Sequence, residues 1–549
     1  MNPGLIAFFD LKNGGQISFI VLIAYMAMLI GIGVITSRLF RGTAADYFVA
    51  SRGIGSFLML MSIFGTTMTG FAIIGSSGEA FKSGIGVYGL MVSWSGIFHS
   101  LCFFFVGIKV WSYGKRYGYQ TQIQFFRDRF ESNTIGLVLF PALVGLVLPY
   151  ILIGIIGGST GIEKITTGAF PEAFSETKGG IPFWLGGLIM CTVVLIYIFL
   201  GGVRGAAWAN AVQTILFIGL GIVTFFVISN KLGGFQAATQ KVIDNNPSYL
   251  KLAATEEDKA LYEERRAAFE AGEIKAPPRA TDEIKPLVFF SYIFIPFSVA
   301  MFPHLFQHWL TAKSAKAFKL SVVVHPLLMM MTWLPCVLIG VWATSATKAD
   351  GTLIVPLGAD QNGVLPIMVR ALSTPVMGGL LTAGVLAAIM SSLDSQFICL
   401  GSIFTNDIVG HYAKPRKMSD RQTLLIGRAF IVAIVVVCYL IALANRDSSV
   451  FALGTWCFTG FSGLAPLIFG ALYWKRMTKI GAYASIITAA IVGLIFFSMS
   501  DLKSSGEFLV LGLMPVTFVV LASTAAMILV SLATQPPSAA TINKFFTKK

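Results

Sequence analysis

Thirteen long apolar runs constrain what this chain can fold into. Each run has about the 20 residues that a helix needs to cross the hydrocarbon core of a bilayer. Lipid offers the backbone no hydrogen-bond partners, so only helices and closed barrels span it, and runs this long and continuous predict helices. The runs cover residues 16–38, 54–80, 84–110, 134–160, 181–203, 206–229, 287–311, 318–346, 375–409, 424–444, 449–473, 478–498 and 508–533.

The composition agrees with a chain that lies mostly in a membrane. Only 12% of the 549 residues are charged, 55% are hydrophobic and the mean hydropathy is +0.77, whereas soluble domains average about 25% charged residues. The start of the chain lacks the features of a cleavable signal peptide, so we expect the first run to stay in the membrane. The six cysteines lie in apolar runs without a CxxC pair, which predicts small core residues rather than disulfides or a metal site.

The distribution of basic residues predicts the orientation in the membrane. With the N-terminus outside, cytoplasmic segments hold 23 of the 40 basic residues and short outer segments hold 8. The other nine lie with ten acids in the loop 230–285, and long loops do not count in the positive-inside rule. This predicts an outer N-terminus, a cytoplasmic C-terminus and residues 412–423 inside. The net charge of +14 then faces anionic lipid, and nucleic acid is not needed to explain it.

The loop 230–285 is the one long polar insertion. Its segment KLAATEEDKALYEERRAAFEAGEIK is rich in helix formers with charges of both signs. This predicts a solvated outer helix, and a lid over a substrate site is the alternative.

Two of the thirteen runs are expected to be broken helices. The second run concentrates glycines and hydroxyl residues between Gly65 and Gly78, and the seventh carries Pro296 and Pro303. Glycine weakens a helix and proline removes a backbone donor. The two runs are five apart, so each would open a five-helix unit, as in transporters built from inverted repeats. Ordinary kinks are the alternative.

The ninth run contains a polar cluster within an apolar segment. Ser391, Asp394 and Ser395 are three or four residues apart and share a helix face, and Ser392 lies about 100° round from Ser391. A carboxylate inside a membrane span is costly and indicates a functional site. Hydroxyl and carboxylate oxygens suit a hard cation such as sodium. A hydrogen-bonded contact between helices is the alternative.

Five sequence patterns resemble motifs of the sodium:solute symporter family, and they occur in the family's order across nearly the whole chain. Their residues are ADYFVASRGIG (45–55), GGVRGAAWANAVQ (201–213), FPHLFQHWLTAKS (302–314), MSSLDSQFICLGSIFTNDI (390–408) and LYWKRMTKIGAYAS (472–485).

The resemblance implies an all-α membrane protein of 13 transmembrane helices with an inverted-repeat, five-plus-five core and two broken helices. The implied division is 1–53 as an extra helix and loop, 54–229 as the first repeat, 230–285 as an extracellular loop, 286–473 as the second repeat and 474–549 as two helices and a tail. The implied activity is sodium-coupled symport of a small organic solute into the cell by alternating access. We expect it in the cell membrane, acting as a monomer.

The resemblance also implies a sodium site where the first core helix unwinds against the ninth run. Its ligands would be the backbone carbonyls of Gly65, Met68 and Ala388 and the hydroxyls of Ser391 and Ser392.

Two positions depart from the family pattern. Family members with a second sodium site have an aspartate at the position of Asn210. We therefore expect a second cation site built from Asn210, Asp394 and Ser395, or none. His308 stands in place of the usual arginine, and a histidine there would introduce pH dependence.

The sequence constrains the identity of the solute less than it constrains the identity of the ion. The resemblance places the cavity near Thr66, Thr67, Thr69, Phe458 and Ser462. The run 134–160 has no arginine or lysine such as sialic acid carriers use there, and Thr67 replaces the aspartate of proline carriers. Neutral or zwitterionic solutes, and a carboxylate held by helix amides, remain open.

Two other functions stay as alternatives, a solute-gated channel and a transporter-derived sensor. Only about sixteen residues follow the last run, which does not favour an appended signalling domain. We do not expect an enzyme, because no HExxH, Walker A or triad pattern occurs. The five histidines, His99, His304, His308, His325 and His411, are scattered over different spans and loops and are predicted to be packing or hydrogen-bonded residues rather than ligands.

Overall fold

The computed structural model describes residues 13–38, 47, 52–412, 419–500 and 508–546. Within these ranges every named element is helical, and β structure is limited to three isolated bridges. Ten helices are long and apolar enough to cross a membrane, and two bent helix pairs also meet this criterion. The structure therefore confirms an all-helical, multi-pass membrane architecture. Most of the first family motif, residues 45, 46 and 48–51, lies outside the described residues.

The helices are labelled in chain order. They are α1 (Gly14–Ser37), α2 (Ser56–Thr67), α3 (Ser76–Ser83), α4 (Gly86–Leu101), α5 (Ile108–Tyr117), α6 (Gln122–Arg129), α7 (Ile135–Ile165), α8 (Phe183–Lys231), α9 (Phe235–Asn245), α10 (Glu256–Glu270), α11 (Pro286–Ser291), α12 (Pro303–Thr311), α13 (Ala317–Ala343), α14 (Val364–Leu372), α15 (Pro375–Ile403), α16 (Gly410–Tyr412), α17 (Asp420–Ala444), α18 (Val450–Gly463), α19 (Ala465–Tyr473), α20 (Lys479–Ser498), α21 (Pro515–Ala533) and α22 (Ala539–Phe546).

Short segments with other helical geometry lie between these helices. The π-helical segments are Phe71–Gly75, Cys102–Gly107 and Phe404–Val409, and the 3₁₀ segments are Ser175–Thr177, Pro247–Leu250, Tyr292–Ala300 and Gln361–Gly363.

The first expected break is present and falls at Met68. Helix α2 ends at Thr67, and Met68 has non-helical backbone angles (φ −88°, ψ 86°). The chain resumes through the π-helical segment into α3, bent by 57° from α2. The Thr69 hydroxyl accepts a hydrogen bond from the Phe71 N–H at 3.0 Å and so satisfies an otherwise free donor at the start of the second half.

The second expected break lies between the 3₁₀ segment Tyr292–Ala300 and α12, with a bend of 50° across Pro286–Thr311. Pro303 occupies the first position of α12, where a missing N–H costs nothing. The start of the first bent pair meets the end of the second, because the Ile54 N–H donates to Thr311 O at 3.1 Å and the Lys313 N–H donates to Ile54 O at 2.9 Å.

Helix α8 covers two predicted runs, 181–203 and 206–229, as 49 residues of helix interrupted by one kink. It contains one non-helical residue, Gly202, at φ 56° and ψ −157°. A Cβ there would lie 2.7 Å from the Tyr47 ring, so both the backbone angle and the space require glycine. Gly202 is therefore the point at which α8 changes direction.

The centre of the bundle is formed by α15, which packs against α1, α7, α8 and α17. The broken helix α2 lies between α8, α13 and α15. This packing places the unwound backbone around Met68 against the polar cluster of α15.

The polar loop 230–285 is partly helical, as predicted. Helix α10 begins with a capping box in which the Thr255 and Asp258 side chains bond reciprocally to each other's backbone. The interpretation of this loop as a lid stays a prediction.

Candidate functional site

Three of the five predicted sodium ligands converge at the first break. The Ser391 hydroxyl oxygen lies 2.8 Å from Gly65 O and 2.9 Å from Ala388 O. One hydroxyl has a single proton and donates to one of these carbonyls at a time. The group therefore has more oxygen lone pairs than protons, so its oxygens are available to a cation.

The close approach of α2 to α8 and α15 depends on Gly65. A Cβ at this position would lie 2.5 Å from the Thr214 hydroxyl of α8, so any side chain would separate the helices. The Thr214 hydroxyl also donates to Met61 O at 3.0 Å, which ties α2 to α8 one turn earlier. At Met68 the ψ angle of 86° turns the carbonyl out of the direction that it would have in a continuous helix.

Ser392 faces a different neighbour from Ser391. Its hydroxyl accepts a hydrogen bond from Gln396 Nε2 at 2.7 Å. The Tyr150 phenol of α7 interacts with the hydroxyls of both Ser392 and Thr69. Ser392 thus lies between the converging oxygens and a second polar group around Tyr150.

The predicted second cation residues also come together. Asp394 is fully buried, and its carboxylate accepts hydrogen bonds from the Tyr197 hydroxyl at 3.0 Å and the Ser395 hydroxyl at 3.0 Å. With the amide of Asn210 in the orientation that satisfies both groups, its nitrogen donates to the two carboxylate oxygens at 2.8 and 3.2 Å. These donors are all neutral, so an ionised Asp394 would gain from a bound cation.

His308 reaches this second cluster through Ser395. Its Nε2 lies 3.1 Å from the Ser395 hydroxyl, and both side chains are buried. The histidine that replaces the family arginine therefore contacts a candidate cation ligand. His308 is thus a hydrogen-bonded residue, which is one of the two roles that the sequence predicted for the histidines.

The predicted cavity residues divide into separate groups. Phe458 lies in an aromatic cluster, with ring centroids 4.9 Å from Phe71, 5.5 Å from Tyr150 and 5.6 Å from Phe302. Thr69 joins this cluster through Tyr150. Ser462 donates to Ile295 O, in the second broken segment, at 2.9 Å.

Thr66 and Thr67 do not join that cluster through any contact described. The Thr67 hydroxyl lies 3.0 Å from Ile63 O, Phe64 O and His325 Nε2, so it faces α13. The Thr66 hydroxyl is buried without a hydrogen-bond partner in the described part of the chain. Thr67 and Thr69, on the two sides of the break at Met68, therefore face different neighbours, and the assignment of the three threonines to the solute cavity stays a prediction.

Several residues of the site were not predicted from sequence. The polar group around Ser392 includes Tyr150 and Gln396, and Asp394 depends on Tyr197. For Tyr150 and Tyr197 the available signal was weak, because each is a polar residue within an apolar run, whereas Gln396 directly follows the predicted polar cluster of α15. His99 and His325, far apart in sequence, have ring centroids 5.5 Å apart, so the histidines are less scattered than the sequence suggested.

Comparison with known proteins now decides the family. A sequence model of the sodium:solute symporter family matches residues 47–489. The chain belongs to the sodium:solute symporter family. This symporter is 25% identical over 506 residues to the osmoregulated proline transporter OpuE of Bacillus subtilis (strain 168), covering 91% of this chain and 92% of that protein.

The names of other relatives of the symporter refer to more than one solute. The sodium/proline symporter of Escherichia coli (strain K12) is 23% identical over 509 residues, covering 87% of this chain and 88% of its own. The sodium/glucose cotransporter 1 of Oryctolagus cuniculus is 23% identical over 506 residues, covering 88% and 72%. The symporter is therefore a membrane transport protein, and its relatives do not agree on a solute.

Solved structures support the same fold. A Na⁺-coupled sialic acid symporter in a substrate-bound outward-open state superposes with a TM-score of 0.70 at 17% identity, over 95% of this chain and 99% of that one. Mhp1, a nucleobase-cation-symport-1 family transporter, gives a TM-score of 0.53 at 14% identity, over 90% and 97%. At these identities the comparison concerns the fold alone.

Proposed function

We propose that this symporter moves a small organic solute into the cell together with sodium by alternating access. The observation that carries the proposal is the convergence of Gly65 O, Ala388 O and the Ser391 hydroxyl where α2 unwinds. Met68 O and the Ser392 hydroxyl would complete the sodium site. Asn210, Asp394 and Ser395 would hold a second cation.

Sodium at this position would act as a link between two helices. It would join α2 to α15 and hold the unwound backbone in one arrangement, which favours the outward-open state and prepares the break for the solute. A ligand shifts such an equilibrium only by its difference in affinity for the two states. Each sodium ion moving down a potential of 100 mV contributes about 2.3 kcal/mol.

We also propose thirteen crossings arranged as two repeats, 54–229 and 286–473. Counting each bent pair once gives twelve crossings. A continuous helix of the length of α8 would extend about 73 Å, more than twice the hydrocarbon core of about 30 Å. Division of α8 at Gly202 gives the thirteenth. The two bent pairs, each at the start of a repeat, support the inverted arrangement.

Uptake into proteoliposomes tests the proposed function. An inward sodium gradient should drive accumulation of one member of a panel of labelled carboxylates, amino acids and sugars above its external concentration. A potassium gradient of the same size is the control and should give equilibration at most. A channel would instead let the solute equilibrate without accumulation, and that result would contradict symport.

Cysteine labelling tests the proposed orientation. Arg421 and Asp447 are exposed residues near opposite ends of α17, and the six native cysteines are buried. In intact cells an impermeant maleimide should label Asp447→Cys, whereas Arg421→Cys should react only after permeabilisation. Wild-type protein is the background control. Labelling of Arg421→Cys from outside intact cells would contradict this orientation and indicate the opposite one.

A further inference from the structure

A polar cavity of about 600 Å³, here called the α20 cavity, lies where α20 begins and α21 ends. Its volume is within the range of about 300–1,000 Å³ that is usual for ligand sites. None of the residues of the proposed sodium or solute sites lines it, and both helix ends lie on the face proposed to be cytoplasmic. Its polar lining includes Arg129, Glu131, Thr478, Lys479, Thr534 and Ser538.

Arg129 lines the α20 cavity as a fully buried cation with one unused donor. Its Nε donates to Ala471 O at 2.9 Å and its Nη2 donates to Trp474 O at 3.2 Å, whereas its Nη1 has no hydrogen-bond partner in the described part of the chain. No ion pair between described residues includes Arg129. A buried charge without a counter-charge is costly, so an anion beside this guanidinium would stabilise the folded protein.

The amino end of α20 adds positive potential to the same cavity. Lys479 and Ile480 are the first two residues of this helix, and both line the cavity. The first N–H groups of a helix have no partner within the helix and carry partial positive charge. The Lys479 side chain is exposed and forms no ion pair with a described residue. Helix amides, a lysine and a guanidinium are the groups that commonly bind phosphate in proteins.

Glu131 is the one acidic side chain among the described residues that line the cavity. Its Oε1 accepts hydrogen bonds from the Ser538 hydroxyl at 2.5 Å and from the Thr541 hydroxyl, so this oxygen is bonded to the segment at the start of α22. Arg476 adds a positive charge beside the cavity, because its Nη2 donates to Thr534 O at 2.7 Å. Three basic side chains therefore lie in or beside the cavity with one carboxylate, and this excess favours an anionic ligand.

Lipid-facing side chains adjoin the cavity. Ile480, Leu529 and Leu532 are exposed on α20 and α21, two helices that are long and apolar enough to cross a membrane. In a bilayer, exposed apolar side chains on such helices contact acyl chains. Because the cavity lies where both helices end, it is at the level of the lipid headgroups. The cytoplasmic leaflet is the one that carries anionic lipids.

We propose that the α20 cavity binds the phosphate of an anionic phospholipid, and that the acyl chains of this lipid lie along Ile480 and Leu532. Arg129, Lys479 and the first N–H groups of α20 face the phosphate. The bound lipid joins the last two spans, α20 and α21, to the segment between α6 and α7. A free phosphate ion has the same headgroup chemistry but lacks the acyl chains. The site is separate from the proposed sodium site, and the proposal does not depend on symport.

Competition between lipids tests the ligand. Delipidated protein in a neutral detergent is incubated with labelled dioleoylphosphatidylglycerol, and the bound lipid is measured after gel filtration. Unlabelled dioleoylphosphatidylglycerol should displace the label at a concentration about tenfold or more below that of dioleoylphosphatidylcholine, which has the same acyl chains and no net charge. Equal displacement by the two lipids would overturn the proposal of an anionic ligand. Inorganic phosphate should displace little, and displacement by phosphate as effective as that by the anionic lipid would show a site for a free ion instead of a lipid.

Three variants test the location of the lipid. Arg129→Gln should raise the Kd for dioleoylphosphatidylglycerol by about tenfold and Lys479→Gln by about fivefold. Lys475→Gln is the matched control, because Lys475 is also exposed, lies four residues earlier and does not line the cavity, and its Kd should be that of the wild type. If the buried Arg129 proves necessary for folding, the exposed Lys479 decides the test. An unaltered Kd in Lys479→Gln would overturn the proposal, and so would an equal loss of affinity in Lys475→Gln, which would indicate attraction to the basic surface in general.

Discussion

Replacing Ser391 or Ser392 by alanine is expected to raise the half-saturating sodium concentration by about tenfold or more, equivalent to about 1.4 kcal/mol for each serine. Each substitution removes one of five proposed oxygen ligands. The effect of Ser391→Ala should be at least as large as that of Ser392→Ala, because the Ser391 hydroxyl contacts both Gly65 O and Ala388 O. Sodium dependence should be measured at saturating solute in both single variants and the double variant.

Ser76 offers a matched control for these serines. It is also buried, at the start of α3 in the first bent pair, but its hydroxyl donates to Ala72 O, four residues earlier, at 2.6 Å. A serine bonded in this way contributes little when it is replaced by alanine. Ser76→Ala should therefore keep the wild-type sodium dependence. Unaltered sodium affinity in the Ser391→Ala, Ser392→Ala double variant would exclude this face of α15 as the sodium site.

Asp394→Asn is expected to lower the Hill coefficient for sodium or to raise the sodium requirement, with a smaller effect on the folded state. The carboxylate is the acidic group among Asn210, Asp394 and Ser395, and its described donors are neutral. Replacement by an amide removes the charge that would attract a second cation while keeping the size of the side chain. Purified protein should be assayed for sodium-dependent uptake and for thermal stability.

Moving the carboxylate from position 394 to position 210 supplies the control for Asp394. The double variant Asn210→Asp, Asp394→Asn keeps one carboxylate in the same cluster and moves it to the position used by family members with a second sodium site. It should recover part of the sodium dependence lost in Asp394→Asn. Wild-type sodium dependence in Asp394→Asn alone would show that Asp394 has a structural role and that the second site is absent.

The two broken helices were predictable because their causes are local. Pro303 cannot donate a backbone hydrogen bond in any environment, and the glycines and hydroxyl residues after Gly65 weaken a helix wherever they lie. The position of the first break at Met68 was not predictable to the residue, although the family resemblance pointed to it. The break lies one turn after Gly65, which is in tight contact with Thr214, 149 positions away in the chain. No local sequence pattern contains such a contact.

The neighbours of the predicted cavity residues were not predictable for a related reason. The family resemblance placed Thr66, Thr67 and Thr69 near one cavity, and the unwound backbone at Met68 sends Thr67 towards His325 and Thr69 towards Tyr150. Conversely, His99 and His325 were separated because their sequence positions are distant, and helix packing brings their rings together. The separation of two residues along the sequence is a poor guide to their distance in space where helices are broken and tightly packed.

By itself, the sequence determined the membrane environment, the approximate position of most spans, the two interruptions and the family. These depend on the transfer of apolar side chains into lipid and on local backbone chemistry, both of which are properties of short segments. Only the tertiary structure decided which polar atoms meet: Ser391 with Gly65, Asp394 with Tyr197, and Tyr150 with Ser392 and Thr69. Such meetings depend on contacts between helices from distant parts of the chain. At these contacts a missing side chain, as at Gly65, matters as much as a polar one.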